Sequence, residues 1–119
     1  MSDFATALHS FLEQLPQADF EFATTLAFIE QWYDFTATGF QNGTLRNEAD
    51  QNQGSCRVLA MATSAGLSNE QTLLCFGEHY RDVLAAPAGD SHQNIRQLQQ
   101  QGLQGVEFDQ FPLTAKQHS

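Results

Sequence analysis

The sequence predicts a mainly α fold: a compact single domain over residues 1–119, with about five helices and a small β-hairpin at Asn42-Gly43. Three observations carry this prediction. Apolar residues recur every three or four positions through the first third of the chain, the period of a helix with one buried face. Helix punctuation follows, with Gly66 and Gly102 placed to end segments and Ser68-Asn69-Glu70-Gln71 matching a capping box. Between Asp34 and Gly54 the helical spacing disappears, and Asn42-Gly43 is the strongest short-range hairpin signal a sequence can offer.

The first helix starts from Ser2 as N-cap, with Asp3 in its first turn. Phe4, Leu8, Phe11, Leu12 and Leu15 form its apolar face, and Pro16 stops it. A second helix opens near Asp19 and carries Phe22, Leu26, Ile29 and Tyr33 at helical spacing. Phe35, Thr36, Thr38 and Phe40 suit extended backbone, and Leu45 begins the return strand of the hairpin. The polar loop from Asn47 to Gly54 follows, and a loop of that kind inside a small domain is often functional. Ser55 is the expected N-cap of a third helix, apolar nearly all round from Cys56 to Ala62, which belongs at the centre of the fold. One fourth helix runs from Ser68 past Leu84, with Leu73, Phe76, Gly77, Tyr80 and Leu84 in one arc and Cys75, His79 and Asp82 on the opposite side. Ser91 caps the last helix, which ends at Gln101. The tail carries Leu103, Val106, Phe108, Phe111 and Leu113 and packs back on the helices as a short strand.

Composition excludes several functions. Five Lys and Arg against fourteen Asp and Glu give a net charge of −9. A nucleic-acid backbone binder needs a basic face to displace counterions, and an anionic membrane attracts basic segments, so neither partner is expected. No apolar run approaches the roughly 18 residues of a membrane span, and no basic segment precedes an apolar one at the N-terminus; the reading expects neither a signal peptide nor a transmembrane helix. Two cysteines make no disulfide framework and point to a reducing compartment. Ten phenylalanines supply much of the core, while fifteen glutamines and five asparagines outnumber the charged residues.

Candidates for chemistry are few. Cys75 and His79, four residues apart, would be neighbours on a helix surface, a spacing that suits Cys–His or zinc chemistry, with His92, Asp90 or Cys56 as the only further ligands. Cys56 follows Gly54-Ser55 at a helix start, where the dipole lowers a thiol pKa. Arg57 stands where a papain-like enzyme has an aromatic residue, and the chain is too short for the partner histidine. The simpler reading of both cysteines is packing, so the reading assigns no metal and no cofactor and leans away from an enzyme. Asn42, Asn47, Asn52 and Asn94 suit turns and backbone staples. Together with Arg81, His92 and Arg96 they form the candidate binding set, on the argument that a polar loop must be pinned by the polar side of the last helix.

Several strings resemble one family when taken in order. They are Tyr33-Asp34-Phe35-Thr36, Phe40-Gln41-Asn42-Gly43, Asn47-Glu48-Ala49, Asn52-Gln53-Gly54-Ser55-Cys56, Cys75-Phe76-Gly77, Tyr80-Arg81-Asp82-Val83-Leu84 and His92-Gln93-Asn94-Ile95-Arg96. In that order and spacing they resemble the HopJ type III effector family over about residues 20–113. The family pattern has proline where Ala37 stands, glycine at Asp50, aspartate at Ser91 and tryptophan at Leu103. The resemblance implies a bacterial protein of the cytoplasm, exported by a type III apparatus, with a host or bacterial protein as partner. It brings no established catalysis and therefore no catalytic residues. The expected function is that of a small acidic protein-interaction domain; the alternative is a cytosolic ligand-binding or Cys/His-dependent enzyme domain not involved in secretion. A deep polar pocket joining loop 42–54 to Arg81 and His92 would favour the alternative, and a flat surface the first.

Overall fold

The computed structural model describes residues 4–116, so the proposed Ser2 cap and Asp3 lie outside the described residues. The two periodic stretches form α1 (Phe4–Gln14) and α2 (Phe22–Trp32). The first ends just ahead of Pro16, whose ring cannot continue a helix. Aromatic rings bind the two together: Phe11 stacks on Phe28 with centroids 4.6 Å apart and meets Phe20 edge-on at 5.8 Å. Tyr33 leaves the helix one residue earlier than the periodicity suggests. It opens β1 (Tyr33–Phe35), which pairs antiparallel with β5 (Leu113–Ala115) near the other end of the chain.

The Asn42-Gly43 signal produces a two-residue hairpin between β2 (Phe40–Asn42) and β3 (Leu45–Asn47), with Gly43 at φ +60° in its turn. The apolar tail adds β4 (Val106–Phe108) to the far edge of β2, completing a sheet of order β3-β2-β4. Phe40, at its centre, is fully buried.

Helix α3 (Gln53–Ala65) occupies the middle of the core. Cys56 and every residue from Val58 to Ala62 have no exposed surface, and Gly66 closes the helix at φ +73°. Arg57, its only charge, lies over the Phe35 ring at 4.0 Å. The N-cap is Asn52 rather than Ser55, which falls in the first turn.

The fourth predicted helix is two helices, α4 (Asn69–Leu74) and α5 (Glu78–Ala85), making six α-helices among the described residues. The Ser68–Gln71 capping box opens the first with both reciprocal bonds made. The break is at Gly77, with φ +57° and ψ −125°, a conformation that suits only glycine. A Cβ there would lie 2.5 Å from Phe22 N and 2.8 Å from Glu21 C. The corner clamps the start of α2, because Glu78 Oε1 accepts from Phe22 N at 2.7 Å and Arg81 donates to the Phe20 carbonyl at 2.7 Å. The kink also redistributes the two arcs: Phe76 stays buried and Asp82 exposed, but Cys75 packs into the core and Leu84 is 54% exposed.

Helix α6 (Gln93–Gln101) starts one residue later than expected, with His92 as N-cap at φ +53° in place of Ser91. A 3-10 turn, Leu103–Gly105, then leads into β4.

Candidate functional site: a cleft at two helix starts

A knot of asparagines, with Asn42, Asn47 and Asn94 buried and Asn52 exposed at its edge, joins the hairpin, the following loop and α6. Asn42 Nδ2 donates to the Asn94 carbonyl and to Asn94 Oδ1, each at 2.9 Å. Asn47 and Asn94 bond reciprocally through their amides at 3.2 and 3.0 Å. Asn52 Nδ2 donates to Asn47 Oδ1 at 2.7 Å. Asparagine suits these places because its short amide can both donate and accept, and because it tolerates the left-handed backbone that Asn52 adopts at φ +51°. Gln97 of α6 adds a bond to Thr44 N in the hairpin turn at 3.2 Å.

The knot brings the starts of α3 and α6 together, and beside them lies a cleft of about 520 Å³. Its polar wall includes Asn52, Ser55, His92 and Asn94, with the Gly54 backbone among them. Its apolar wall is Phe22, Leu45, Phe76 and Ile95. Phe22 stacks on Phe76 with centroids 5.8 Å apart, held there by the clamp at Gly77. Neither α3 nor α6 has a side-chain cap bond or an acidic residue in its first turn. Both therefore present uncapped amide N–H groups and the positive end of a helix dipole at the cleft. The two non-glycine residues with positive φ among those described, Asn52 and His92, are the caps of these helices and line the cleft.

His79 of α5 and His92 both line the cleft, with their rings in contact at a centroid separation of 5.0 Å. Phe22 braces His79 edge-on at 5.0 Å. One turn along α5, Asp82 lies 3.6 Å from His92 Nε2. One ligating atom from each of His79, Asp82 and His92 lies within 4.8 Å of the others.

The cysteines stand apart from this site. Both are reduced and fully buried, and burial pushes the Cys56 thiol up to about 11 and the Cys75 thiol up to about 12. A thiol that resists ionisation is a poor nucleophile and a poor metal ligand. Because the helix breaks at Gly77, Cys75 and His79 do not share a helix surface: the Cys75 carbonyl accepts from Thr25 Oγ1 inside the core, while His79 faces the cleft.

Among the sequence-derived binding residues, Asn42, Asn47, Asn52, His92 and Asn94 gather at the knot and cleft. Arg81 and Arg96 do not. Arg81 holds the Phe20 carbonyl, and Arg96, only 7% exposed, folds back onto the carbonyls of Ser91, Pro87 and Ala86 at 2.5, 3.1 and 3.0 Å. Each guanidinium turns to carbonyl acceptors on nearby irregular backbone rather than to the loop. The sequence reading missed Phe22 and Phe76 as cleft walls and the pairing of Asp82 with His92. The i, i+3 spacing of His79 and Asp82 was its one visible trace.

A family model described as HopJ type III effector protein matches residues 8–113. The chain belongs to the HopJ family. A crystal structure of a protein of unknown function, VPA0580, is 45% identical and superposes with a TM-score of 0.85, covering 92% of this chain and 93% of that one. No curated protein matches the chain. No helix among the described residues is long and apolar enough to cross a membrane.

Proposed function

We propose that this HopJ protein captures a small organic anion in the cleft between the starts of α3 and α6. The observation that carries this reading is the cleft itself. Its volume falls in the range of small-molecule sites, and it sets an aromatic wall opposite a few convergent polar groups. Two uncapped helix starts favour a carboxylate or phosphate head, since each offers free N–H donors and roughly half a positive charge. The aromatic pair Phe22 and Phe76 receives the apolar part of the ligand. A net charge of −9 over the whole chain does not oppose this, because helix-end fields act within the first turn and distant surface charges are screened.

The test is a thermal-shift panel of small carboxylates and phosphate esters. A ligand at a hundred times its Kd adds about 2.7 kcal/mol of stability, enough to raise the melting midpoint by several degrees. Ser55→Phe, which fills the cleft from the first turn of α3, should abolish the shift. A surface that works only by docking a protein predicts no shift from any member of the panel.

We also infer that the protein resides in the bacterial cytoplasm, with type III delivery as a route out of it and a host or bacterial protein as a further partner. The family description supports this reading. A reporter fusion found in the medium of wild-type cells but not of cells lacking the type III apparatus is the expected result; a reporter retained in both overturns delivery.

A further inference from the structure

We infer that His79, Asp82 and His92 bind one divalent first-row transition cation of the zinc or ferrous class at the rim of the cleft. The donor set carries the assignment. Two imidazoles and one carboxylate form a ligand combination that selects this class of metal and leaves coordination positions open. Calcium and magnesium prefer all-oxygen shells, and copper(I) prefers sulfur.

The geometry is close to what such a cation needs. Ligands about 2.1 Å from a metal lie roughly 3–3.5 Å from one another. His92 Nε2 and Asp82 Oδ2 already stand at 3.6 Å, and all three donors lie within 4.8 Å. Small χ rotations of exposed or half-buried side chains close the remainder. His79 and Asp82 sit at i and i+3 on one face of α5, so a single helix presents both. His92 comes from a separate element, held in a left-handed conformation that an ordinary residue avoids. Phe22 packs edge-on against the His79 ring and limits its rotation.

Both histidines line the cleft, so the open positions of the cation would face the same space as the two helix starts. The cation's part in anchoring the anion rests on the cleft reading; its binding does not, and the two fail separately.

The experiment is a calorimetric titration of chelator-stripped protein with Zn²⁺, paired with Co²⁺ absorption spectroscopy and no other ligand present. The expected result is one ion per chain with visible Co²⁺ bands of a low-coordinate site. Asp82→Ala changes a side chain that is 66% exposed, and His92→Asn keeps a residue that tolerates positive φ. Each should weaken binding at least about tenfold, while His9→Ala on the exposed side of α1 leaves it unchanged; circular dichroism checks that the variants fold. Failure to bind a stoichiometric ion, or binding that either cleft variant leaves intact, overturns the metal site. An anion-induced thermal shift in the metal-free protein would uphold the cleft even then.

Discussion

The apolar surroundings of α3 and the asparagine knot beside its first turn are equally buried, yet they are held by different physics. Around Val58 to Ala62 the side-chain packing is non-directional, and its contribution to stability follows the area removed from water. In the knot, Asn42, Asn47 and Asn94 are 0%, 1% and 5% exposed, and their buried amides are tolerable there because amide partners answer all of their side-chain polar atoms except Asn42 Oδ1, which has none among the described residues. The core should therefore respond to lost volume and the knot to lost partners. That contrast also explains where the cleft is. Apolar packing closes its voids, whereas a hydrogen-bonded junction of two helix starts leaves directional space that side chains do not fill.

The largest effect should come from the core. Leu59→Ala removes volume from a site with no route to solvent and should cost about 2–5 kcal/mol in denaturant unfolding. A loss below about 1 kcal/mol would mean that α3 is not packed as described.

Gly77→Ala joins the two regions. It strains a backbone that only glycine accepts and drives a methyl into the Glu21–Phe22 backbone, so a loss of about 2–4 kcal/mol is expected. It should also loosen the Phe22 wall, read as faster hydrogen exchange at the start of α2 than Leu59→Ala causes at equal overall stability.

Asn94→Ala deletes a small side chain but removes three buried amide bonds at once: the Oδ1 shared by Asn42 and Asn47 and the Nδ2 donated to Asn47, while the carbonyl of residue 94 stays available to Asn42. It should cost about 1–3 kcal/mol, more than its lost volume explains. If the knot behaved like the core, Asn94→Leu would restore stability; a further loss is expected instead.

The thiols sharpen the contrast by pH. Both folded-state values lie above the ordinary 9.0, so the native state retains protons that the unfolded chain releases. Below about pH 9 both states are protonated and the thiols contribute nothing. From pH 9 toward 11–12 stability should fall, by roughly 1.4 kcal/mol per pH unit for each thiol. At pH 8 neither cysteine should react with a disulfide reagent until the protein unfolds.

The smallest effect belongs to the surface. Arg46 grips Asp109 with two bonds of 2.9 and 2.6 Å, holding the Asp109 carboxyl below its usual range. Both partners are in water, where such a pair competes with solvent and salt. Asp109→Asn should move the melting midpoint less than any variant above, and high salt should erase the difference.

What the sequence determined by itself is the set of features that short-range chemistry decides. The Phe and Leu spacing of α1 and α2, the Ser68–Gln71 box, the Gly66 and Gly102 stops and the hairpin signalled by Asn42-Gly43, whose two turn residues are Gly43 and Thr44, each depend on residues within a few positions of one another. The burial of α3 was legible for a related reason, since a helix without a polar face has nowhere else to go. The tertiary structure decided whatever depends on a distant neighbour. Gly77 breaks a helix because the backbone of residues 20–22 passes where its side chain would be, and Tyr33 leaves α2 because β5 offers it a strand partner. Arg81 and Arg96 turned to carbonyls that chain order could not rank among the alternatives. The contact of His79 with His92 at the cleft, thirteen positions apart and on separate elements, exists only once the corner at Gly77 and the asparagine knot have set the angles of α5 and α6. Periodicity describes one helix at a time, and a site built between helix ends is a property of their packing.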